Sequence, residues 1–306
     1  MSDSNLAIVT GAFGYTGRYI TSNLLSRSRR VRTLTEHPES SSPLAGQVEI
    51  APFNFDQPDL LTKSLEGADC VFNTYWIRFP YKGITHEKAA ANLKILIDCA
   101  RRAGVRRFVQ ISITNASLGS PLPYFKGKGE VEEALIASGL SYAILRPAVI
   151  FGPEDILLNN IAWLLRKFPA FAIPGSGKYR LRPIFVEDLA ALALEAGEAD
   201  NNIIVDAVGP ETYTFDQLVR FIAGAIGSKA LLFHLSPRLA LLLSKVVGGM
   251  VGDVILTADE ITGLTADLLL TTGPATAKTR FSDWLNQHKD SIGVSYASEL
   301  ARRRKP

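Results

Sequence analysis

The stretch that decides the fold runs from Leu6 to Ile20 and reads L-A-I-V-T-G-A-F-G-Y-T-G-R-Y-I. Its first residues, Leu6 to Val9, are apolar and rich in β-forming side chains, which is typical of a strand buried on both faces. Further on, Gly17, Ile20 and Leu24 recur at the spacing of one helical stripe. Glycines separate the two patterns, so the stretch predicts a strand, a tight turn and a helix in succession.

Three glycines occupy the turn at the spacing G-x-x-G-x-x-G. Gly11 permits the tight turn, the missing Cβ of Gly14 lets the backbone approach a pyrophosphate, and Gly17 lets the helix lie close to the sheet. The N–H groups and positive dipole end of the helix then face the phosphates. A glycine-rich loop without a ligand is the alternative, but the strand before it and the helix after it favour a dinucleotide site. The residues expected to contact the dinucleotide here are Gly11, Phe13, Gly14, Tyr15, Thr16, Gly17 and Arg18.

The composition of this 306-residue chain is that of an ordinary soluble globular protein, with 47% hydrophobic and 21% charged residues. Its net charge of +3 is too small to predict a nucleic-acid partner. Cys70 and Cys99 lie in apolar segments, which indicates reduced core thiols and a cytoplasmic protein without a disulfide framework. The histidines lack a Cys or His neighbour at ligand spacing, so we expect no metal site. They are His37, His86, His234 and His288.

Two segments bear on targeting and membranes. The first residues, Met1 to Asn5, have neither the basic nor the apolar region of a signal peptide. The most apolar later stretch, Leu239 to Leu256, is interrupted by Lys245 and Asp253. A bilayer span needs roughly 20 mostly apolar residues, so this stretch predicts a buried or surface-docked helix. A peripheral membrane contact is the alternative interpretation.

Segments with strand and helix character alternate in the first half of the chain. After the first strand, the expected strands are Val31–Leu34, Val48–Pro52, Asp69–Asn73, Arg107–Ile113 and Ser141–Leu145. The expected helices between them are Leu60–Leu65, His86–Ala103 and Tyr124–Ser138. Such alternation predicts an α/β fold with a parallel sheet that helices cover on both faces.

The pattern loosens after Arg146-Pro147. Helices are expected over Asn159–Phe168 and from Phe185 to about Gly197, and a strand over Ile203–Ala207, whereas Pro169–Pro183 is expected to be a loop. Further helix starts are indicated by two capping boxes and a Ser-Pro cap, at Thr214–Gln217, Thr257–Glu260 and Ser236-Pro237. The last third of the chain is therefore predicted to be mostly helical.

Five motifs in order give the chain a resemblance to a known superfamily. They are T-G-A-F-G-Y-T-G-R at Thr10–Arg18, N-F-D at Asn54–Asp56, Y-F-K-G-K at Tyr124–Lys128, L-R-P at Leu145–Pro147 and F-V-E-D-L-A at Phe185–Ala190. From roughly residue 5 to 290 the chain resembles the atypical or extended short-chain dehydrogenase/reductases. Within that superfamily it is similar to the NAD(P)-binding proteins of NmrA-like and epimerase/dehydratase-like type. These are related to NmrA-type sensors and to the accessory NAD(P)H-binding subunit of respiratory complex I.

This resemblance implies a Rossmann fold, that is, a doubly wound parallel sheet, with a smaller and mostly helical C-terminal substrate lobe. The expected core covers residues 1–150, with 180–207 returning to it, and the expected lobe covers 151–180 and 208–306. The resemblance also implies NAD or NADP as the cofactor, while leaving the substrate open.

Four further residues are expected to contact the cofactor. Asn54 follows the third strand, where its side chain can accept from the adenine amino group while the Phe55 backbone meets the ring. An Asx-type turn is an equally good interpretation of Asn54. Asn73 and Thr74 end the fourth strand, at the carboxyl edge where open α/β sheets bind their ligands.

Tyr124 and Lys128 have the Y-x-x-x-K spacing of the superfamily, which puts both side chains on one face of a helix. A lysine ammonium beside a phenol lowers the pKa of the phenol, so the tyrosine can exchange a proton with a substrate hydroxyl or carbonyl. The lysine can also reach the nicotinamide ribose. A helix start with a half-buried tyrosine and a solvated lysine is the alternative.

The resemblance calls for a third catalytic hydroxyl near the end of the fifth strand. Ser112 and Thr114 share one face there by strand alternation, and Thr114 is preferred. The usual Ser-Ser pair of the superfamily is replaced by Ser112-Ile113, which puts dehydrogenase activity in doubt. The aromatic and basic segment Tyr75–Tyr81 either walls a substrate pocket or covers the end of the sheet.

The choice between NAD and NADP depends on the end of the second strand. Glu36 lies 19 positions after Gly17, close to the spacing of the acidic residue that accepts from the ribose 2′-OH. Arg18 and Arg32 favour NADP, because either side chain could reach a 2′-phosphate. We favour NAD.

Two functions follow from these residues. The first is an NAD(P)-dependent oxidoreductase or epimerase that acts on a small hydroxyl or carbonyl substrate with Tyr124 as acid/base. The second is a non-catalytic NAD(P) sensor or assembly subunit, which the Ser112-Ile113 substitution favours. The Tyr124/Lys128 pair makes the enzyme the preferred hypothesis, and the oligomeric state is left open.

Overall fold

The computed structural model describes residues 5–36 and 42–304. The strands of this part of the chain are β1 Leu6–Thr10, β2 Arg30–Leu34, β3 Glu49–Ala51, β4 Ala68–Asn73, β5 Arg107–Ile111, β6 Ser141–Pro147, β7 Ile150–Phe151, β8 Ala170–Pro174, β9 Arg180–Leu181, β10 Ile184–Phe185, β11 Ile203–Ala207, β12 Tyr213–Thr214 and β13 Leu231–Leu235. Its α-helices are α1 Tyr15–Ser26, α2 Pro58–Leu65, α3 His86–Arg102, α4 Pro123–Ala137, α5 Leu157–Lys167, α6 Val186–Glu198, α7 Phe215–Ala225, α8 Pro237–Val251, α9 Ala258–Thr265, α10 Phe281–His288 and α11 Glu299–Arg304.

Seven strands form one parallel sheet in the order β11-β6-β5-β4-β1-β2-β3. All residues of β1 and β5 are buried, as the continuous apolar run at Leu6–Val9 predicts. Helix α1 packs against α6, and α3 packs against both α2 and α4. The predicted α/β Rossmann fold is thereby confirmed, and the strand order reverses between β1 and β4, where such sheets bind ligands at their carboxyl edge.

The chain divides into two compact units. One comprises the described residues up to Pro147 together with Val186–Ala207, and the other comprises Ala148–Phe185 and the described residues from Val208 onwards. The first unit contains the sheet and a core of fully buried aliphatic and aromatic side chains. Members of that core are Ile8, Leu93, Leu96, Phe108 and Ile144. Cys70 and Cys99 are buried and unpaired in the same unit.

The second unit has three small two-stranded sheets and a core of its own. These sheets pair β7 with β10, β9 with β12 and β8 with β13. The core includes Phe151, Leu181, Leu218, Phe281 and Leu285. Thr214 and Thr257 each form the predicted capping box, with Gln217 and Glu260 respectively. Pro237 begins α8 as predicted, but the Ser236 side chain makes no capping hydrogen bond.

Two predicted boundaries are wrong. Pro169–Pro183 was expected to be a loop, but it contains β8 and β9, because β8 finds its partner β13 only about sixty residues later in the chain. The fifth strand ends at Ile111 rather than Ile113, although the N–H groups of Ser112 and Thr114 still donate to the Leu145 and Pro147 carbonyls, at 2.7 and 3.0 Å.

Helix α8 is docked rather than fully buried, since it packs against β8, β13 and α9. Only Ala240 and Gly248 of its residues are buried, and most of its apolar side chains are exposed. Among the described residues, no helix is both long and apolar enough to cross a membrane.

Candidate functional site

The glycine turn after β1 has the geometry that its spacing predicts. Gly11 has a φ of +68°, and its N–H donates to the Leu34 carbonyl at 2.9 Å. A Cβ on Gly17 would lie 2.1 Å from the Gly11 carbonyl oxygen, so no side chain fits where α1 meets the turn. The first glycine is therefore required by its conformation and the third by the close approach of the helix.

Gly14 lies at the tip of this turn, directly before α1, and is its N-cap residue. It is exposed, whereas Phe13, Tyr15 and Thr16 around it are half-buried. No side chain caps this end of α1, and its first turn carries no acidic residue. Backbone N–H groups at a helix N-terminus without a side-chain cap, beside a residue without a Cβ, suit a pyrophosphate. The residues present therefore fit the phosphates of a dinucleotide.

A row of hydrogen bonds crosses the carboxyl ends of β1, β4 and β5. Thr10 Oγ1 donates to Asn73 Oδ1, and Asn73 Nδ2 donates to Gln110 Oε1, both at 2.8 Å. Gln110 Nε2 then donates to the Ile111 carbonyl at 2.8 Å. The three polar side chains are fully buried. Asn73, predicted to contact the cofactor, thus has both ends of its amide engaged inside the sheet, where it holds the strand ends in place.

Thr74 joins β4 to the glycine turn. Its hydroxyl donates to the Thr10 carbonyl at 2.5 Å, and its N–H donates to Thr10 Oγ1 at 2.8 Å. A Cβ on Gly17 would lie 3.2 Å from Thr74 Oγ1. The structure therefore places Thr74 directly beside the predicted phosphate site.

Asn54 adopts a left-handed conformation with a φ of +45°, which asparagine tolerates better than most residues. Its carbonyl accepts from the Gln57 N–H at 2.9 Å, so it begins a backbone turn. The rings of Phe53 and Phe55 stack on either side of it in the chain, with centroids 4.9 Å apart, and Tyr75 contacts both rings. The chain thus turns at Asn54 through a backbone hydrogen bond, and three aromatic rings pack together around this turn.

Glu36, the residue on which the choice of NAD depends, is exposed after the end of β2. Burial raises the pKa of Tyr75, and a hydrogen bond from Asn92 opposes this rise. The negative charge of Glu36 raises the pKa of Tyr75 further, so Glu36 lies close enough to Tyr75 to act on it electrostatically. Arg32 is already engaged. Its guanidinium donates to Glu49 at 2.7 and 2.9 Å and to the Ser64 carbonyl at 2.8 Å.

Lys128 is buried in α4, with 3% of its surface exposed. Its ammonium donates to the Ile111 carbonyl at 2.8 Å and lies 4.6 Å from the centre of the Trp76 ring. Burial lowers the pKa of Lys128 to about 7, which the charge of Glu132 partly opposes. The alternative of a solvated lysine is therefore wrong.

Tyr124 lies one helical turn before Lys128 and is half-buried. Its ring makes edge contacts with Trp76 and His86, with centroids 5.8 and 5.5 Å away. Trp76 and His86 are themselves stacked, with centroids 6.1 Å apart. The aromatic segment after β4 is thus brought onto the start of α4 and meets both residues of the Y-x-x-x-K motif.

Glycines on both sides of Lys128 allow this enclosure. A Cβ on Gly127 would lie 3.0 Å from the Trp76 ring, and a Cβ on Gly129 would lie 2.6 Å from the backbone of Ser117. Side chains at these two positions would hold the neighbouring segments away from the helix. The sequence G-K-G within a helix pattern is the signal that could have predicted a buried lysine.

Ser112 is committed to a different partner from the one expected of a catalytic hydroxyl. It donates to Glu132 of α4, and Arg146 of β6 also donates to that carboxylate. Ser112 and Glu132 are buried. Thr114, the preferred candidate, is fully buried after the end of β5. Glu132 and Arg146 had no predicted role, and the signal for Glu132 is its place one helical turn after Lys128.

No group of three or more His, Cys, Asp or Glu residues that could hold a metal ion is found among residues 5–36 and 42–304. His37 lies outside the described residues.

Comparisons with known proteins agree with this geometry. Residues 11–155 match the family model described as NAD(P)H-binding. The mitochondrial NADH dehydrogenase (ubiquinone) 1 alpha subcomplex subunit 9 of Arabidopsis thaliana is 25% identical over 284 residues, which are 87% of this chain and 71% of that protein. The photosystem II assembly factor Ycf39 of Cyanidium caldarium is 24% identical over 190 residues, 62% of this chain and 60% of that protein.

A solved structure shows the same fold over nearly the whole chain. The triphenylmethane reductase of Citrobacter sp., complexed with NADP(H), has a TM-score of 0.74 at 21% identity and covers 92% of this chain and 99% of its own.

Residues 11–155 therefore contain an NAD(P)-binding domain, as the motifs predict, and its cofactor is NAD or NADP. Its fold is shared with a UDP-glucose 4-epimerase of Thermotoga maritima and with this triphenylmethane reductase. Because the plant relative is mitochondrial by name, the cytoplasmic location stays a prediction.

Proposed function

We propose that this chain is a non-catalytic NAD(P)-binding protein with a sensing or assembly role, the second of the two hypotheses drawn from the sequence. One observation carries the proposal. The oxidoreductase mechanism needs the Lys128 ammonium between the Tyr124 hydroxyl and the nicotinamide ribose, but the ammonium is buried and donates to the Ile111 carbonyl. Burial also lowers the pKa of Lys128 to about 7, which weakens its ability to favour a phenolate at neutral pH.

The position of Ser112 supports the same proposal. Its hydroxyl donates to the Glu132 carboxylate, so it serves the packing of α4 against the sheet. The neighbouring hydroxyl of the usual Ser-Ser pair is replaced by Ile113. Of the serine pair expected in the catalytic set, one hydroxyl is therefore engaged and the other is missing. Thr114 remains as the candidate for the catalytic hydroxyl.

The dinucleotide would be held by the glycine turn and the N-terminus of α1. Gly11 and Gly17 shape the turn, and no side chain caps the N-terminus of α1 at Gly14, where the phosphates would lie. Glu36 would accept from the adenosine ribose, which favours NAD over NADP. A nicotinamide dinucleotide supplies hydride-transfer chemistry when it is bound.

The names of the relatives support a role with protein partners. The plant relative is named as a subunit of NADH dehydrogenase, and the red algal relative is named as an assembly factor of photosystem II. By analogy, we propose that this chain has a protein partner that recognises its dinucleotide-bound form.

Turnover of a substrate with NADH or NADPH tests the proposal, with Tyr124→Phe as the variant. Tyr142→Phe is the control, because it also removes one tyrosine hydroxyl from the same unit. Calorimetry with NADH and NADPH measures binding, and a screen of hydroxyl and ketone substrates measures oxidation or reduction of the dinucleotide. We expect tight binding by all three proteins and no turnover by any of them. A substrate whose turnover falls ~10²–10⁴-fold in Tyr124→Phe alone would overturn the proposal.

That outcome would establish the second candidate function, an oxidoreductase or epimerase for a small hydroxyl or carbonyl substrate. The observation favouring it is that Tyr124 is half-buried one turn before Lys128, on the same face of α4. In that role Tyr124 would exchange a proton with the substrate oxygen, with Thr114 or Ser112 as hydrogen-bond donor.

A further inference from the structure

Helix α8 carries an exposed apolar surface, which we call the α8 face. Its members are Leu239, Leu242, Leu243, Val246 and Met250, with exposed fractions of 52%, 59%, 41%, 57% and 69%. At about 100° per residue these positions fall within an arc of about 100° around the helix axis. The buried residues of α8, Ala240 and Gly248, lie outside this arc. The α8 face therefore points away from the rest of the chain.

Basic side chains line one edge of this face. Arg238 and Lys245 are seven positions apart, so they lie on the same side of the helix, next to Leu242. Both are exposed, and α8, which the structure describes throughout, has no other charged residue. The charged side chains of α8 itself are thus both positive.

The end of α8 is held in place. Gly252 ends the helix with a φ of +66°, and the next residue, Asp253, accepts from the Tyr296 hydroxyl at 2.9 Å. Asp253 also accepts from the N–H groups of Glu299 and Leu300, at 2.8 and 3.2 Å, and so caps the start of α11. The α8 face is therefore displayed on an anchored helix.

The chemistry of the face decides what covers it. Its members are aliphatic side chains and one methionine, without an aromatic ring and without a hydrogen-bonding group. The hot spots of protein interfaces are enriched in Trp, Tyr and Arg, and this face has none of them inside its arc. A continuous aliphatic face with a basic edge matches the boundary between acyl chains and anionic headgroups.

We infer that α8 docks this protein on the surface of an anionic lipid bilayer. The helix lies flat, with Leu239, Leu242 and Val246 among the acyl chains and Arg238 and Lys245 at the phosphate groups. Its 15 residues are about 22 Å long, which suits a helix in the plane of the interface rather than across it. This inference does not depend on whether the chain is catalytic.

Flotation of the full chain with vesicles tests the inference. We expect binding to phosphatidylcholine vesicles that contain phosphatidylglycerol, weaker binding to phosphatidylcholine alone, and a further loss at high salt. Leu242→Glu should weaken binding to both vesicles at least about tenfold, because it places a charge where a leucine is buried in lipid. Lys245→Gln should weaken binding to the anionic vesicles about fivefold.

Val294→Glu is the matched control, because Val294 is 64% exposed and lies outside α8. It should bind vesicles like the wild type, and all variants should bind NADH equally, which shows that they are folded. Equal losses in Val294→Glu and Leu242→Glu, or no binding by the wild type, would overturn the inference. If the wild type does not bind vesicles but forms a dimer that Leu242→Glu dissociates, the α8 face would instead be an interface with a second copy of this chain.

Discussion

The glycine turn and the start of α4 both depend on glycines, but the neighbours that the missing Cβ atoms would contact differ between the two. In the turn, a Cβ on Gly17 would strike the Gly11 carbonyl oxygen at 2.1 Å, so backbone meets backbone. On α4, Gly127 and Gly129 leave room for a neighbouring ring and loop to close over Lys128. The geometry of the predicted phosphate site is therefore fixed by the main chain, whereas the Tyr124/Lys128 region depends on the contacts of one buried side chain.

The largest effect is expected in the turn itself. Gly17→Ala should lower the free energy of unfolding by about 3 kcal/mol or more, because neither the turn nor the helix can move without losing the other contacts of β1. Urea unfolding measures the change. Gly46→Ala is the control, since a Cβ there meets nothing within 4 Å. If the free energy of unfolding of Gly17→Ala lay within about 1 kcal/mol of the wild-type value, the close contact between position 17 and the Gly11 carbonyl would be contradicted.

Gly14→Val separates binding from folding in the same turn. A branched side chain at the tip should fill the place of the phosphates and weaken dinucleotide binding at least about a hundredfold, or about 2.7 kcal/mol. The valine Cβ would lie 3.1 Å from the Gly11 carbonyl oxygen, so we expect a small loss of stability, which the thermal midpoint without ligand measures. Calorimetry with NADH measures affinity, with Gly224→Val as a glycine replacement at an open position elsewhere. Wild-type affinity in a folded Gly14→Val protein would overturn the phosphate assignment.

Lys128 makes a prediction about pH. Its pKa is about 7 in the folded chain, below the ordinary value of 10.5, so the unfolded chain binds more protons between these values. Stability therefore rises with pH in this window, by about 2 kcal/mol from pH 7 to 9. Lys128→Met should lack this rise, which urea unfolding at the two pH values would detect as a difference between the proteins. Parallel pH profiles would show that the lysine is not buried as described.

The smallest effect concerns Glu36. We expect the wild type to bind NADH more tightly than NADPH. Glu36→Gln should reduce the difference in binding free energy between the two dinucleotides by about 1 kcal/mol, because it removes one exposed charge near the 2′-position. Glu66→Gln removes an exposed charge elsewhere and should leave the ratio unchanged. Tighter binding of NADPH by the wild type would reverse the preference for NAD.

The sequence was sufficient for the turn because its constraints are local. Strand, glycines and helix follow one another within Leu6–Ile20, and the φ of Gly11 and the contact of Gly17 involve only neighbours in the chain and in the sheet. The alternation of elements likewise predicted the parallel sheet. Local patterns of this kind determine backbone geometry directly.

The surroundings of Lys128 and Ser112 could not be predicted in this way. The lysine is enclosed by Trp76, which is 52 positions earlier in the chain, and Ser112 is engaged by Glu132, which is 20 positions later. The Y-x-x-x-K spacing predicts a shared helix face but not which acceptor the ammonium finds. Strand β8 was missed for a similar reason, because its partner β13 is distant in the sequence.

Gly127 and Gly129 also bear on how the site moves. Each glycine in a helix interior lowers intrinsic helix stability by about 1 kcal/mol relative to alanine, and α3, which packs against α4, has no glycine. Local opening of the first turns of α4 should therefore be easier than opening of α3, and amide hydrogen exchange should be faster there. Each such opening exposes Lys128 to water, so access to this lysine is governed by a local unfolding equilibrium.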